Sequence, residues 1–409
     1  MKPRRPSRTA SRTRALFNGI YPYQVQTAAY HTLNLDSSNG SVNNWAAPGV
    51  PSASAFDFRS DTITTPTASM LQAIATTTLL DDVFVEDTTT NSFEASIAEM
   101  TGFPAGLFVL SGTMGNQISM RTHLTAPPHA ILCDHRSHVL EWEAGGVATL
   151  SQAIIKGVEP SNGTYLTLED IQAKAVLSDD VHACPTRVIS LENTLGGTIM
   201  PLAETRRIAA WAREQGLIMH LDGARLWEAA AAGAGTIKEY SSCFDSVSLC
   251  FSKGLGAPVG SVIVGSQAFV KRARWIRKSI GGGIRQAGVL SAPMRVALEE
   301  TFLGGQLQAS HERARKIAAI WESYGGKLAM PVETNMVWLD LKSANLTVKE
   351  FIAVARDAGI TTLGGRLVVH YQICDEAVDR LDKLMKGILE GEKSGVTNGA
   401  NTLKRKEID

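Results

Sequence analysis

Two short stretches hold the residues on which chemistry could turn. The apolar run Leu217-Ile218-Met219-His220-Leu221 ends on Asp222, and Gly223-Ala224-Arg225 follow. Further on, Ser246-Val247-Ser248-Leu249-Cys250-Phe251 leads through Ser252 to Lys253, with Gly254, Leu255 and Gly256 behind it. A short apolar run closed by a charged residue is how an α/β sheet presents functional groups, because ligands bind outside the carboxyl ends of parallel strands. A lysine on one such end can bond to an aldehyde. A carboxylate on a nearby end can keep a pyridine nitrogen protonated, so that the ring accepts electrons. The pair suits pyridoxal phosphate (PLP). Taken singly, Asp222 reads as a turn cap and Lys253 as a surface lysine. Together, each closing an apolar strand and each followed by small residues, they favour the cofactor, and Gly254 and Gly256 leave room for it.

The rest of the chain has to position these groups. Residues 106–110 read as a buried strand, followed by Ser111-Gly112-Thr113-Met114-Gly115-Asn116-Gln117 and a helical stretch to about Leu124. A strand, a turn of small residues and a helix start form a ready anion site, since free N–H groups and the helix dipole face the ligand. After a strand at 130–133, His138 starts a short helix and could stack on a ring or move protons, whereas His135 reads as a loop histidine. A strand at 187–191 leads into Glu192-Asn193-Thr194, and a helix runs from Pro201 to Gly216. This alternation predicts an α/β fold with a mostly parallel sheet and helices on both faces. Helices are also expected over 67–80, broken by Asp81-Asp82, and over 91–101 with Asn91 as N-cap. The basic stretch 271–278 reads as a solvated helix face, and Gly281-Gly282-Gly283 beside Arg285 allows close approach to an anion. From about 290 the pattern changes to a long helix through 324, a strand near 335–341, a helix at 348–358 and a strand at 366–370.

A chain of 409 residues can bury a large core. The expected division is a basic extension over 1–54, a large domain with an N-terminal arm over 55–295, a small α+β domain over 296–390 and a polar tail over 391–409. Zero formal net charge gives no reason to expect nucleic acid or a membrane surface as partner, and no apolar run is long enough to span a bilayer. The five cysteines show no CxxC spacing and read as reduced thiols, with no metal site. Arg4, Arg5, Arg8, Arg12 and Arg14 precede the first acidic residue, Asp36. That composition fits a mitochondrial transit peptide or a basic tail of a cytoplasmic protein, and both readings stand.

Residues 57–62 (Asp-Phe-Arg-Ser-Asp-Thr), Ser111 to Gln117, His220 to Arg225, Ser252 to Ser261 and Gly281 to Gly288 resemble, in order and spacing, the L-threonine aldolases of low-specificity type. These are PLP enzymes of the aspartate-aminotransferase fold (fold type I), and the resemblance runs from Phe56 to about Leu384. It implies that Lys253 carries the cofactor and Asp222 pairs with the pyridine nitrogen. Gly112 and Thr113 would hold the phosphate, and His138 would stack on the ring. Ser60, Arg225 and Arg366 would bind the substrate carboxylate. Arg285 would reach the phosphate of a neighbouring subunit, which implies a homodimer or homotetramer with shared sites. The chain departs from the family pattern at Leu195, where a histidine is usual, at Phe84 for a tyrosine, at Val85 for a glycine and at Trp142 for a tyrosine.

The implied reaction is retro-aldol cleavage of β-hydroxy-α-amino acids to glycine and an aldehyde. Leu195 cannot take the β-hydroxyl proton, so His138 or a water near it would have to. One rival is an amino-acid (alanine) racemase on the same scaffold, which needs no base at the hydroxyl but needs proton donors on both faces; Lys253 and His138 could serve. A rival of another class is a PLP-binding protein without catalysis, against which the complete set of carboxylate-binding residues argues.

Overall fold

The computed structural model of the protein describes residues 51–391. The extension expected over 1–54 and the tail over 391–409 lie almost wholly outside these residues. The exceptions are Pro51 to Ser54 and Gly391. Order reaches back further than the Ala55 expected from sequence, because Ser52 and Ser54 both bond the side chain of Gln372.

Seven strands form the central sheet: β1 (Ala105–Val109), β2 (Ala130–Asp134), β3 (Ile154–Val158), β4 (Thr186–Glu192), β5 (Ile218–Gly223), β6 (Ser246–Cys250) and β7 (Ser261–Gly265). Their order is β1-β7-β6-β5-β4-β2-β3. β7 runs antiparallel to β1 and β6, and the other pairs are parallel. Every residue of β2, β6 and β7 is buried, as expected where helices cover both faces of a sheet. A second pair, β8 (Met336–Trp338) and β9 (Arg366–Val368), is antiparallel.

The first core gathers around Trp227, Phe251, Phe93 and Phe108 and still includes Ala297, Leu298 and Leu307. The second, around Trp321, Phe351 and Leu381, takes in Phe58 from the other end of the chain. Phe58 is held there by its N–H to Thr361 O (2.8 Å) and by the Val368 N–H to its carbonyl (2.9 Å).

Several local expectations need correction. The helix expected from 67 ends at Ala75, where Thr76 closes it. The helix expected from Asn91 starts at Thr88, because Asp87 caps it by accepting the Thr90 N–H. The single long helix to 324 is interrupted by a π-helical segment, Ala297–Phe302, and by Gly305 at φ +78°, before helix Gln306–Ser323 begins. The basic stretch in helix Gln267–Ser279 is only partly a solvated face. Arg277 is 2 % exposed, pairs with Asp82 and donates to Phe108 O, and Arg274 reaches Glu94. Charge alone could not distinguish these inward arginines, since their partners lie far off in sequence.

Candidate active site

The candidate groups converge at the carboxyl ends of the central strands. β4 ends on Glu192, which lies in register with Asp222 on β5. Asp222 is buried between two donors: Asn116 Nδ2 reaches Oδ2 at 2.7 Å and the Ala224 N–H reaches Oδ1 at 3.0 Å. Lys253 follows β6 through a turn closed by the Gly256 N–H to its carbonyl. Its charge favours the ionised forms of Asp61 and Glu192 and opposes protonation of His138, so all three lie within its electrostatic reach. A Cβ at Gly254 would strike Glu228 Oε1, so glycine is required beside the lysine. Gly256 sits at φ +86°, where side chains are disfavoured.

His138 stands across from Asp222. Its N–H donates to Glu192 Oε2 (2.9 Å), and its Nδ1 donates to Glu143 Oε1 (2.9 Å), which leaves Nε2 as the nitrogen open to a proton. The hydrogen bond to Glu143 raises the His138 pKa, burial works against it, and the charge of Asp222 adds to the rise. Glu192 is pushed up to about 7 by burial and then by the nearby charge of Asp222. Glu192, Glu143 and Asn116 were not singled out from sequence. Only the position of Glu192 at the end of an apolar strand could have flagged it.

At the edge of the site Ser60 caps the 3₁₀ turn Asp61–Ile63. Asp61 is buried and closed upon by Arg225, with Nε to Oδ2 at 2.8 Å and Nη2 to Oδ1 at 2.6 Å. Burial opposes ionisation of Asp61, yet Arg225, Lys253 and Asn335 hold it well below the usual carboxylate range. Arg225, expected to face the substrate carboxylate, therefore has most of its fork engaged by Asp61. Arg366 donates Nη2 to Arg59 O (3.0 Å), and burial followed by the charge of Arg225 lowers its pKa. Arg366 is the freest of the three, whereas the Ser60 hydroxyl already accepts from the Thr62 N–H (3.2 Å) and the Thr62 hydroxyl (2.9 Å). Arg285 lies apart, bonded through Nη1 to Asp81 Oδ2 (3.0 Å) at the surface. Phe84, 70 % exposed, and Val85 are close by in the loop that follows Asp81. Val85 adopts φ +60°, a backbone that glycine takes more readily, which accounts for the glycine the family pattern places there. Leu195 lines a hollow of about 20 Å³ with Asp134, Glu192 and Thr198, enough for one water.

The site fits PLP. Helix Gly112–His123 begins with Ser111 accepting the Met114 N–H, so the N–H groups of Gly112 and Thr113 stay available to an anion. A Cβ at Gly112 would meet only Ser261 Oγ, at 3.9 Å, and that hydroxyl is buried without a partner. An open cradle, an orphaned hydroxyl and a helix N-terminus suit a phosphate, while Asp222 and Lys253 suit the ring and its aldehyde.

Comparison with known proteins supports this. The family model described as β-eliminating lyase matches residues 57–344. The aldolase vrtJ of Penicillium aethiopicum is 56 % identical over 90 % of this chain and 94 % of its own length. The alanine racemase TOXG of Cochliobolus carbonum is 46 % identical over 84 % and 90 %. A low-specificity L-threonine aldolase of Candida albicans is 47 % identical over 82 % and 90 %. The Leishmania major threonine aldolase structure shares the fold, with a TM-score of 0.70 at 20 % identity over 82 % of this chain and 99 % of that one.

Proposed function

The chain belongs to the β-eliminating lyase family, among the threonine aldolases, and from that premise we propose that it cleaves L-threonine, L-allo-threonine and related β-hydroxy-α-amino acids to glycine and an aldehyde. It is a PLP-dependent aldehyde-lyase of the aminotransferase fold. The observation that carries the reading is the meeting of Glu192, Asp222 and Lys253 at three neighbouring strand ends, with His138 opposite.

Bound PLP supplies an electron sink that holds the substrate amine and draws in the electron pair of the broken Cα–Cβ bond. Lys253 is the amine that retains the cofactor. Asp222, oriented by Asn116 and Ala224, would meet the pyridine nitrogen, and Gly112 and Thr113 would receive the phosphate. His138, its orientation fixed by Glu143, would stack on the ring. Arg366 and Ser60, with what remains of the Arg225 fork, hold the substrate carboxylate. Glu192, poised near neutral pH, takes the β-hydroxyl proton directly or through a water in the hollow beside Leu195. That is the task a histidine at 195 would have shared.

Two features favour a second reading, an amino-acid racemase: Leu195, and the likeness to TOXG. Lys253 and His138 would then serve the two faces of Cα. Assaying glycine and acetaldehyde from both threonine epimers, beside loss of optical rotation from L-alanine, separates the readings. Racemisation without glycine overturns the aldolase, and neither activity would leave a PLP-binding protein. We also propose that two or more copies share sites, with the exposed loop around Phe84 and Arg285 at the contact. A monomeric mass in solution would refute this. Among the described residues no helix is long and apolar enough to cross a membrane.

A further inference from the structure

We propose that His123, Ser246, His220 and Asn116 form a one-way hydrogen-bond relay that runs between the sheet and helix Gly112–His123, from the opposite ends of the strands, and positions Asp222 for the cofactor. The inference rests on the reading of Asp222 as the partner of the pyridine nitrogen.

The path is continuous. His123 Nε2 lies 2.7 Å from Ser246 Oγ, and the same hydroxyl lies 2.8 Å from His220 Nδ1. His220 Nε2 lies 3.1 Å from Asn116 Oδ1. Asn116 Nδ2 then reaches Asp222 Oδ2 at 2.7 Å and Glu143 Oε1 at 2.9 Å. His220 and Ser246 are register partners on β5 and β6, while Asn116 and His123 project from one face of helix Gly112–His123. Those two are seven positions apart on the helix, so the relay spans roughly 10 Å.

Its direction follows from the chemistry of its inner end. Two carboxylates accept from Asn116, so the NH₂ of that amide must face them and its oxygen must face His220. His220 therefore carries its proton on Nε2, and Nδ1 accepts. The Ser246 hydroxyl must then donate to His220, which makes its oxygen the acceptor for His123 Nε2–H. Each link fixes the next, and every N–H or O–H points toward Asp222. This order requires a neutral His220 and an Nε2–H on His123, and burial favours the neutral ring at both: it pushes His220 down to about 3 and His123 down to about 4, with Asp245 opposing at His123. The outer ring stacks on Phe269, with centroids 4.8 Å apart. It borders a surface hollow of about 410 Å³ lined also by Ile218, Asp245 and Arg272. Structural filling would have been met by apolar side chains at these buried positions. A chain of polar groups aligned to end on one carboxylate instead fixes where that carboxylate points.

The test uses the PLP-loaded enzyme. Nitrogen-15 NMR of its histidines should show His220 and His123 neutral and protonated on Nε2. A proton on Nδ1 of His220, or no proton on Nε2 of His123, overturns the relay. Ser246→Ala removes the bridging hydroxyl and should weaken PLP binding roughly tenfold, in line with the loss of one buried hydrogen bond. It should also shift the His220 nitrogen signals, and Ser246→Thr, which keeps the hydroxyl, should restore both. A folded Ser246→Ala enzyme that loses stability yet binds PLP as tightly as wild type would mean that the hydroxyl only packs the sheet. These readouts do not depend on the reaction, so a failure to form glycine and a failure of the relay can be told apart.

Discussion

Replacing Glu192 by glutamine isolates the group that the aldolase reading needs most. Glutamine keeps the volume, and its carbonyl can still accept the His138 N–H that Glu192 Oε2 accepts at 2.9 Å. What disappears is a carboxyl lifted from its ordinary 4.5 to about 7 by burial and by Asp222. A base works deprotonated, so wild-type kcat/KM should rise through pH 7 and level off above it. Glu192→Gln should lose that limb, and its activity on the plateau should fall about a hundred- to ten-thousandfold, the usual worth of a positioned general base. Stability should move the other way. The folded pKa lies above the unfolded one, so the folded state binds the extra proton between about 4.5 and 7, and the fold loses stability as pH rises through that window. Above it the buried charge costs up to roughly 3 kcal/mol. Glu192→Gln removes that cost and should raise Tm by a few degrees at pH 8. Glycine release from L-threonine across pH, with calorimetry beside it, measures both. A variant with near wild-type turnover and an unchanged inflection near pH 7 would remove Glu192 from proton transfer.

Lys253→Ala should abolish turnover and leave PLP unattached. A cofactor still fixed to the chain by borohydride would refute the lysine assignment. Leu195→His should sharpen the ratio of kcat/KM between the threonine epimers, because an apolar wall discriminates only about ten- to two-hundredfold per methylene whereas a hydrogen-bonding site can reach about ten-thousandfold. An unchanged ratio would mean that position 195 does not meet the hydroxyl. Arg277→Ala takes the hydrogen-bonded partner from buried Asp82, leaving it only Arg274 at 3.5 Å, and should cost roughly 3 kcal/mol in denaturant unfolding. A loss under about 1 kcal/mol would mean that the pair is not the buried clamp described here.

The sequence made the skeleton of this site legible because strand ends are marked locally. An apolar run, an abrupt charge and small residues after it announce Asp222 and Lys253, and Ser111 to Gln117 announce the helix start that faces the phosphate. The partners of these groups were not legible. Asn116 is one polar residue of a helix, and nothing near it in sequence says that it meets Asp222, 106 positions away. Glu143 carries no local mark, and Arg225 was expected to serve the substrate with no sign that Asp61, 164 positions earlier, closes on it. Helix boundaries failed for a smaller reason. Asp87 competes with Asn91 as a cap, and the three-dimensional path of residues 76–87, tied by Thr78 to Asp87 and Thr89, decides between them. Composition could assign the basic stretch of helix Gln267–Ser279 to solvent only because Asp82 and Glu94 lie outside any local window.

The arm that carries Phe58 into the second core has a consequence for how the protein is made. Asp61, which closes on Arg225, is among the first described residues to leave the ribosome, but Thr361 and Val368, which anchor the arm, are among the last. The sheet with its lysine and aspartate can form while the arm still has nothing to bind. Contacts between such distant segments are slow to close and form late. The finished pocket is therefore a product of chain completion: a nascent or prematurely ended chain lacking residues 361–368 would have the cofactor-binding strand ends and no anchored Asp61 beside them. Competence for substrate would then wait on residues 361–368, which are made after the strand ends that serve the cofactor.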